Sequence, residues 1–193
     1  MSVLLLGGSP SPHSSCSRLL QHIGDKLAVH GCRTARIEVR ELPGPGLLRM
    51  DAGEPELAHA LALVAEAEAV VVATPIYKAA YTGMLKVFLD LLPQDALRGK
   101  TVLPLATGGS QSHMLALDYA LRPVLASMSA RFILPSVYAT SDQLTWDSEH
   151  GTRLAPALAV RVTLGVEQLV AELAAHSTLQ ERSALPRNLH VHA

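Results

Sequence analysis

Short apolar runs alternate with amphipathic stretches along the whole chain. Ser2–Leu6 is apolar and ends in Gly7-Gly8, Ala69–Thr74 is stopped by Pro75, and Thr101–Ala106 leads into Gly108-Gly109-Ser110. Runs of this kind, bounded by turn residues, are strands covered on both faces of a sheet. Arg33–Val39 instead alternates polar and apolar residues, as an edge strand does, and Arg131–Tyr138 completes a set of five. Between them, periodicity near 3.6 predicts helices at Ser17–Val29 (closed by Gly31), Glu56–Ala67 (opened by Pro55) and Thr82–Leu92 (stopped by Pro93). Two more are predicted at Ser112–Met128 and Pro156–Ala174, while Leu42–Gly46 reads as a Pro/Gly loop. The pattern weakens beyond His176, so 1–176 reads as one domain and 177–193 as a C-terminal tail.

Five strands separated by helices imply an α/β fold, with a doubly wound parallel sheet and helices on both faces. The flavodoxin-like strand order, 2-1-3-4-5, is the expected one, with ligand at the carboxyl ends of the strands. Composition agrees: 49% of the 193 residues are hydrophobic although only 4% are aromatic, as in strands buried between helices.

Charge is nearly balanced, with 16 basic and 17 acidic residues and no basic stripe. Nucleic-acid or membrane-surface binding therefore has no electrostatic support. The two cysteines, Cys16 and Cys32, form no C-x-x-C, and the nine histidines form no H-x-x-x-H or H-E-x-x-H, so no metal is expected. No apolar run approaches the ~20 residues of a membrane span, and no export signal is visible at the N-terminus. The expectation is a cytoplasmic protein.

Chemistry in such a fold belongs to the strand-end loops. The first, Gly7-Gly8-Ser9-Pro10-Ser11-Pro12-His13-Ser14-Ser15-Cys16-Ser17, leads from a strand into a helix. Backbone N–H groups and hydroxyls gathered at a helix N-terminus hold an anion. The loop carries neither G-x-x-x-x-G-K-[ST] nor G-x-G-x-x-G, which argues against a nucleoside triphosphate or a dinucleotide pyrophosphate. A neutral, hydroxyl-rich nest suits a terminal phosphate monoester such as that of FMN; a solvated serine turn capping a helix is the alternative. The second loop, Thr74–Gly83, and the third, Thr107–His113, are rich in small residues that let a flat ring approach the backbone.

The serine loop, Ala73-Thr74-Pro75-Ile76-Tyr77-Lys78-Ala79-Ala80-Tyr81-Thr82-Gly83-Met84-Leu85-Lys86 and Leu103-Pro104-Leu105-Ala106-Thr107-Gly108-Gly109 together resemble the NADPH-dependent FMN reductases, most closely those of two-component alkanesulfonate monooxygenase systems. The resemblance runs from about Val3 to Tyr138. It implies a homo-oligomer, dimer or tetramer, that reduces FMN with NADPH and hands reduced FMN to a monooxygenase for organosulfonate desulfonation in sulfur assimilation. By position it also implies that Ser9, Ser14, Cys16 (through its backbone) and Ser17 hold the FMN phosphate. Pro75, Ile76, Tyr77 and Lys78 would contact the ring, with Thr107, Gly108 and Gly109 on its other flank. Relatives often carry an arginine where this chain has Ser11, a lost charge-assisted contact. Tyr77 and Tyr81 also read as packing aromatics, and Lys78 as a solvated lysine.

Within Ser112–Met128, Pro123 lacks an N–H, so the carbonyl of Tyr119 loses its partner four residues on. A kink or π-bulge is expected there, and such bulges gather at functional sites. The resemblance implies a one-residue insertion at this point, at a tetramer interface near the flavin, associated with releasing FMN as product; an ordinary proline kink is the alternative. Flavin chemistry needs no protein nucleophile. Two other functions suit the same fold: an FMN-containing quinone or azo reductase, and a flavodoxin-type electron carrier, against which the balanced charge argues.

Overall fold

The computed structural model describes residues 1–147, 149 and 151–184. Its main sheet is parallel throughout and ordered β2 (Arg33–Glu38), β1 (Ser2–Gly7), β3 (Ala69–Pro75), β4 (Thr101–Gly108). The fifth position is shared by β5 (Phe132–Ile133) and β6 (Val137–Thr140), both paired with β4. The expected order 2-1-3-4-5 is therefore the observed one.

Why the strands read as unbroken apolar runs is visible in their packing. Val3 and Leu5 face a core layer with Leu19, Leu20 and Ile23 of α1 (Ser15–Val29) and Leu158 and Val162 of α6 (Pro156–Ala184). Leu4 and Leu6 face the opposite layer, with Leu57 and Val64 of α3 (Pro55–Glu66) and Leu85 and Phe88 of α4 (Gly83–Leu91). Successive residues point to opposite faces, and both faces are covered, so every position must be apolar.

Four expectations need correction. The Pro/Gly stretch at Leu42–Gly46 is not all loop: a short helix, α2, spans Gly44–Arg49 with Pro at its N-terminal turn, buries Leu47, and ends on Met50 at φ 56°. Proline fits the first helical turn because its missing N–H has no acceptor there. The single strand Arg131–Tyr138 is two, since Pro135 cannot donate to the ladder. The helix Ser112–Met128 is broken into a 3-10 turn at Gln111–His113, a π-helical turn at Leu117–Leu121 and α5 (Arg122–Ser127). The last helix runs beyond Ala174 to Ala184, into the stretch expected to be tail; 185–193 lie outside the described residues. A hairpin, β7 (Leu144–Asp147) with β8 (Gly151–Leu154), has no counterpart in the sequence reading. Among the described residues, no helix is long and apolar enough to cross a membrane.

Candidate functional site

The three loops leave β1, β3 and β4 at the same edge of the sheet. In the first, Ser14 caps α1, its Oγ accepting from the Ser17 N–H at 3.1 Å. Ser9 is fully buried, with its Oγ 2.7 Å from that of Ser14. The Ser14 and Ser17 hydroxyls lie 3.1 Å apart, and Ser17 Oγ donates to the Ser11 carbonyl at 2.9 Å. The structure thus brings Ser9, Ser14 and Ser17 into one cluster. The first-turn N–H groups of Ser15 and Cys16 have no acceptor within the helix, and no acidic residue sits in that turn to compete with an anion.

Cys16 contributes backbone there rather than thiol chemistry. Its side chain is buried and shares a hydrogen bond with Thr107. Burial foremost, with the Glu38 carboxylate adding to it, pushes the thiol up to about 12. A thiol so raised stays protonated and inert.

Behind the loop stands an ion cluster that the sequence reading missed. Glu38 is buried beneath Gly7, where a Cβ would collide with its carboxylate. Arg36 Nε reaches Glu38 Oε1 at 2.7 Å, and Arg40 Nη1 reaches Oε2 at 2.6 Å. Arg40 Nη1 also donates to the Ser9 carbonyl at 3.3 Å, and Arg36 Nη2 to the Ser17 carbonyl at 3.5 Å. Two guanidinium groups therefore brace the nest from below. Alternation over Arg33–Val39 marks an edge strand, but nothing in it points Arg36 and Glu38 to the loop, and Arg40 lies beyond it.

The second loop is tied to the first by threonines. Thr82 Oγ1 donates to the Gly8 carbonyl at 2.7 Å and accepts from Leu85 N–H at 3.2 Å, capping α4. Thr74 Oγ1 accepts from Thr82 N–H at 3.1 Å. Gly8 N–H in turn donates to the Ala73 carbonyl at 2.8 Å. A threonine at the start of a predicted helix is a cap signal; its bond to Gly8, far away in the chain, has no local signature.

Pro75 and Ile76 are buried, whereas Tyr77 and Lys78 are exposed. Tyr77 is thus not a packing aromatic, while Tyr81 does pack against the core. Tyr77 and Ala80 exchange backbone bonds of 2.9 and 3.1 Å around Lys78 and Ala79, whose φ angles are 51° and 63°. This two-residue turn normally asks for Asn or Gly at both central positions. Here neither is present.

The third loop meets the second where Ile76 N–H donates to the Thr107 carbonyl at 2.8 Å. Gly108 lies under Tyr138, whose hydroxyl donates to the Ser110 carbonyl at 2.6 Å; a Cβ at Gly108 would strike that hydroxyl. At Gly109 a Cβ would meet open space. His113 Nδ1 is enclosed without a hydrogen-bond partner among the described residues.

Beyond it the chain makes the π turn. Arg122 N–H bonds the Leu117 carbonyl, five residues back, and the expected bulge is present. Leu117 and Leu121 are buried but Tyr119 is 77% exposed, so it is not a core residue. Arg122 Nε pairs with Asp118 at 3.1 Å, and its Nη atoms each donate at 3.0 Å to the carbonyls of Ile133 and Leu134. The extra residue of the turn and the break between β5 and β6 are thereby fastened together.

These features fit a flavin mononucleotide. The donors in the first loop are neutral hydroxyls and free N–H groups, the requirement of a phosphate at a helix start. The open space over Gly109 and the exposed Tyr77–Ala79 backbone leave room for a flat ring.

Comparison with known proteins gives the same answer. Residues 1–145 match the family described as NADPH-dependent FMN reductase. An FMN reductase (NADPH) of Escherichia coli is 41% identical over 167 residues, 86% of this chain and 87% of its own. One from Pseudomonas putida is 43% identical over 146 residues, 76% and 74% of the two chains. The apo crystal structure of an NADH:FMN oxidoreductase superposes with a TM-score of 0.81 at 38% identity, covering 88% of each chain. Strand-end loops, glycine placements and sequence together assign this chain to the NADPH-dependent FMN reductase family.

Proposed function

We propose that this protein reduces FMN with NADPH, binds the flavin as a substrate, and releases reduced FMN to a separate monooxygenase that desulfonates organosulfonates. Ser9, Ser14, Ser17 and the Cys16 N–H hold the phosphate. Pro75, Ile76, Tyr77 and Lys78 border one side of the ring, with Thr107, Gly108 and Gly109 on the other. Bound FMN accepts hydride from NADPH, so the chain's task is to orient the rings and exclude water. Thr82 holds the phosphate loop against the ring loop, and Thr107 holds the ring loop against β4.

The observation that carries release over retention is the π turn at Leu117–Leu121, which presents Tyr119 to solvent just beyond the ring-side loop. Exposed Met114 and Leu115 widen the apolar surface beside Tyr119, as suits contact between subunits of a homo-oligomer, dimer or tetramer. Similarity to an NADH-dependent FMN reductase of Pseudomonas putida, 34% identical over 185 residues, supports the FMN-reducing part of this reading.

The test is NADPH oxidation by flavin-stripped protein, with and without FMN. Saturable, FMN-dependent turnover on protein that purifies nearly colourless is expected. Yellow protein that needs a quinone or azo dye for rapid turnover overturns the substrate reading. Deleting Tyr119 is expected to remove the π turn and give tight, coloured protein; a colourless deletion variant that still releases FMN refutes that role.

A further inference from the structure

On the outer side of the first turn of α1, an open cavity of about 540 Å³ is lined by His13, Arg18, Gln21, Arg36, Trp146 and Thr152. It shares Ser17 with the serine cluster, so it adjoins the phosphate end of the flavin site. Its far wall is the hairpin β7–β8, in which Trp146 stands directly across from Thr152. The Arg18 guanidinium lies over the Trp146 ring, 4.5 Å from its centroid, and the ring remains half exposed.

The charges in this cavity are unequal. Arg36 is neutralised by Glu38 and held to Gln21. Arg18 enters no ion pair among the described residues. A half-exposed indole beside an uncompensated guanidinium is the chemistry that takes a planar base carrying a phosphate: the ring stacks and the arginine pairs with the anion. The flavin's own phosphate is provided for in the serine cluster next door. A second phosphate-bearing base is left for the cavity.

We propose that Trp146 and Arg18 form the subsite for the phosphorylated adenosine end of NADPH, with Arg18 reading the 2′-phosphate that distinguishes it from NADH. This rests on the reductase reading, and deepens it by naming the group that sets reductant preference. Relatives include reductases named for NADPH and for NADH, so a residue able to set that choice is of consequence here.

Trp146 is the chain's only tryptophan, so its fluorescence reports the subsite directly. Flavin-free, full-length protein is titrated with adenosine 2′,5′-bisphosphate and, separately, with 5′-AMP, which lacks the 2′-phosphate. Saturable quenching is expected, with the bisphosphate binding at least about tenfold tighter, as one charge-assisted contact allows. In Arg18→Ala that preference is expected to vanish, and the NADPH-to-NADH ratio of kcat/KM to fall by a similar factor. FMN affinity, read from flavin fluorescence, stays within about twofold in the variant and shows that the nest remains folded. A silent Trp146, equal binding of the two nucleotides, or a preference that survives Arg18→Ala overturns the proposal. Normal FMN-dependent turnover with a silent Trp146 removes the subsite and leaves the reductase; bisphosphate-specific quenching without turnover does the reverse.

Discussion

Between Ser9 and Ser17 the hydroxyls bond one another and the backbone, and two arginines held by a buried glutamate brace them from beneath. Between Tyr77 and Ala80, at the same edge of the sheet, side chains point outward and two non-glycine residues sit at positive φ. The first region is held together by its own hydrogen bonds and ion pairs. The second stores backbone strain in the open, as is common where a site must both bind and let go. Under the proposed binding mode, that difference would put affinity at the phosphate end and exchange at the ring end. A protein that treats its flavin as substrate gains from that division, because the anchor need not be rebuilt on each turnover.

The largest expected effect breaks the braced side. Glu38→Ala takes from Arg36 and Arg40 the buried carboxylate they share and leaves Arg40 only the exposed Glu41, 3.0 Å away. Both keep some solvent contact, so the loss is placed at about 3 kcal/mol, the low end for breaking a buried ion pair. Chemical denaturation measures it; a loss below 1 kcal/mol would mean the cluster braces nothing. FMN affinity is expected to fall with stability, since the Ser9 carbonyl loses a fixed Arg40.

Next comes the tie between the two regions. Thr82→Val removes the donor to Gly8 and the cap of α4, at about 2 kcal/mol. Thr82→Ser keeps the hydroxyl and is expected to recover most of it. If Val and Ser variants denature alike, the hydrogen bonds are not what joins the loops.

Alkaline pH probes the braced side by another route. Cys16, raised by burial from 9.0 to about 12, remains a thiol in the folded state after the unfolded chain has ionised. Its contribution to stability is complete below pH 9 and is lost as pH rises from 9 toward 12. Cys32, Tyr81 and Tyr138 are also raised, chiefly by burial, so the wild type is compared with Cys16→Ala. The variant's denaturation midpoint is expected to fall less steeply above pH 9, and equal slopes would remove Cys16 from the account.

The same contrast explains what the sequence disclosed. Residues whose reasons are local were legible: the apolar strands, a serine turn at the start of the first helix, and Pro123 as the origin of the π turn. Proline at 123 removes a specific donor, and the helix answers with a bond from Arg122 to Leu117. Residues whose reasons are distant were not legible. Glu38 under Gly7, Thr82 on Gly8, Tyr138 on Ser110 and Arg18 on Trp146 each join stretches far apart in the chain. Pro135 could have warned of the split strand, but a single proline near a strand end reads equally as its terminus.

The smallest expected effect sharpens the comparison from the tense side. Ala79 sits at φ 63° with its side chain exposed and only the Tyr77–Ala80 backbone pair around it. Glycine adopts that conformation without the Cβ clash that costs an L-residue about 1 kcal/mol. Part of the gain is offset by the greater freedom of glycine in the unfolded chain. Ala79→Gly is thus expected to raise stability by about 0.5 kcal/mol, the opposite sign to every variant above, seen as a higher denaturant midpoint at unchanged slope. The informative readout is flavin exchange. If strain at Lys78–Ala79 helps the ring leave, the relaxed turn holds FMN more tightly and lowers its dissociation rate, while the phosphate loop is untouched. A stabilised variant with unchanged flavin dissociation would separate the strain from the release and leave the π turn as its sole agent.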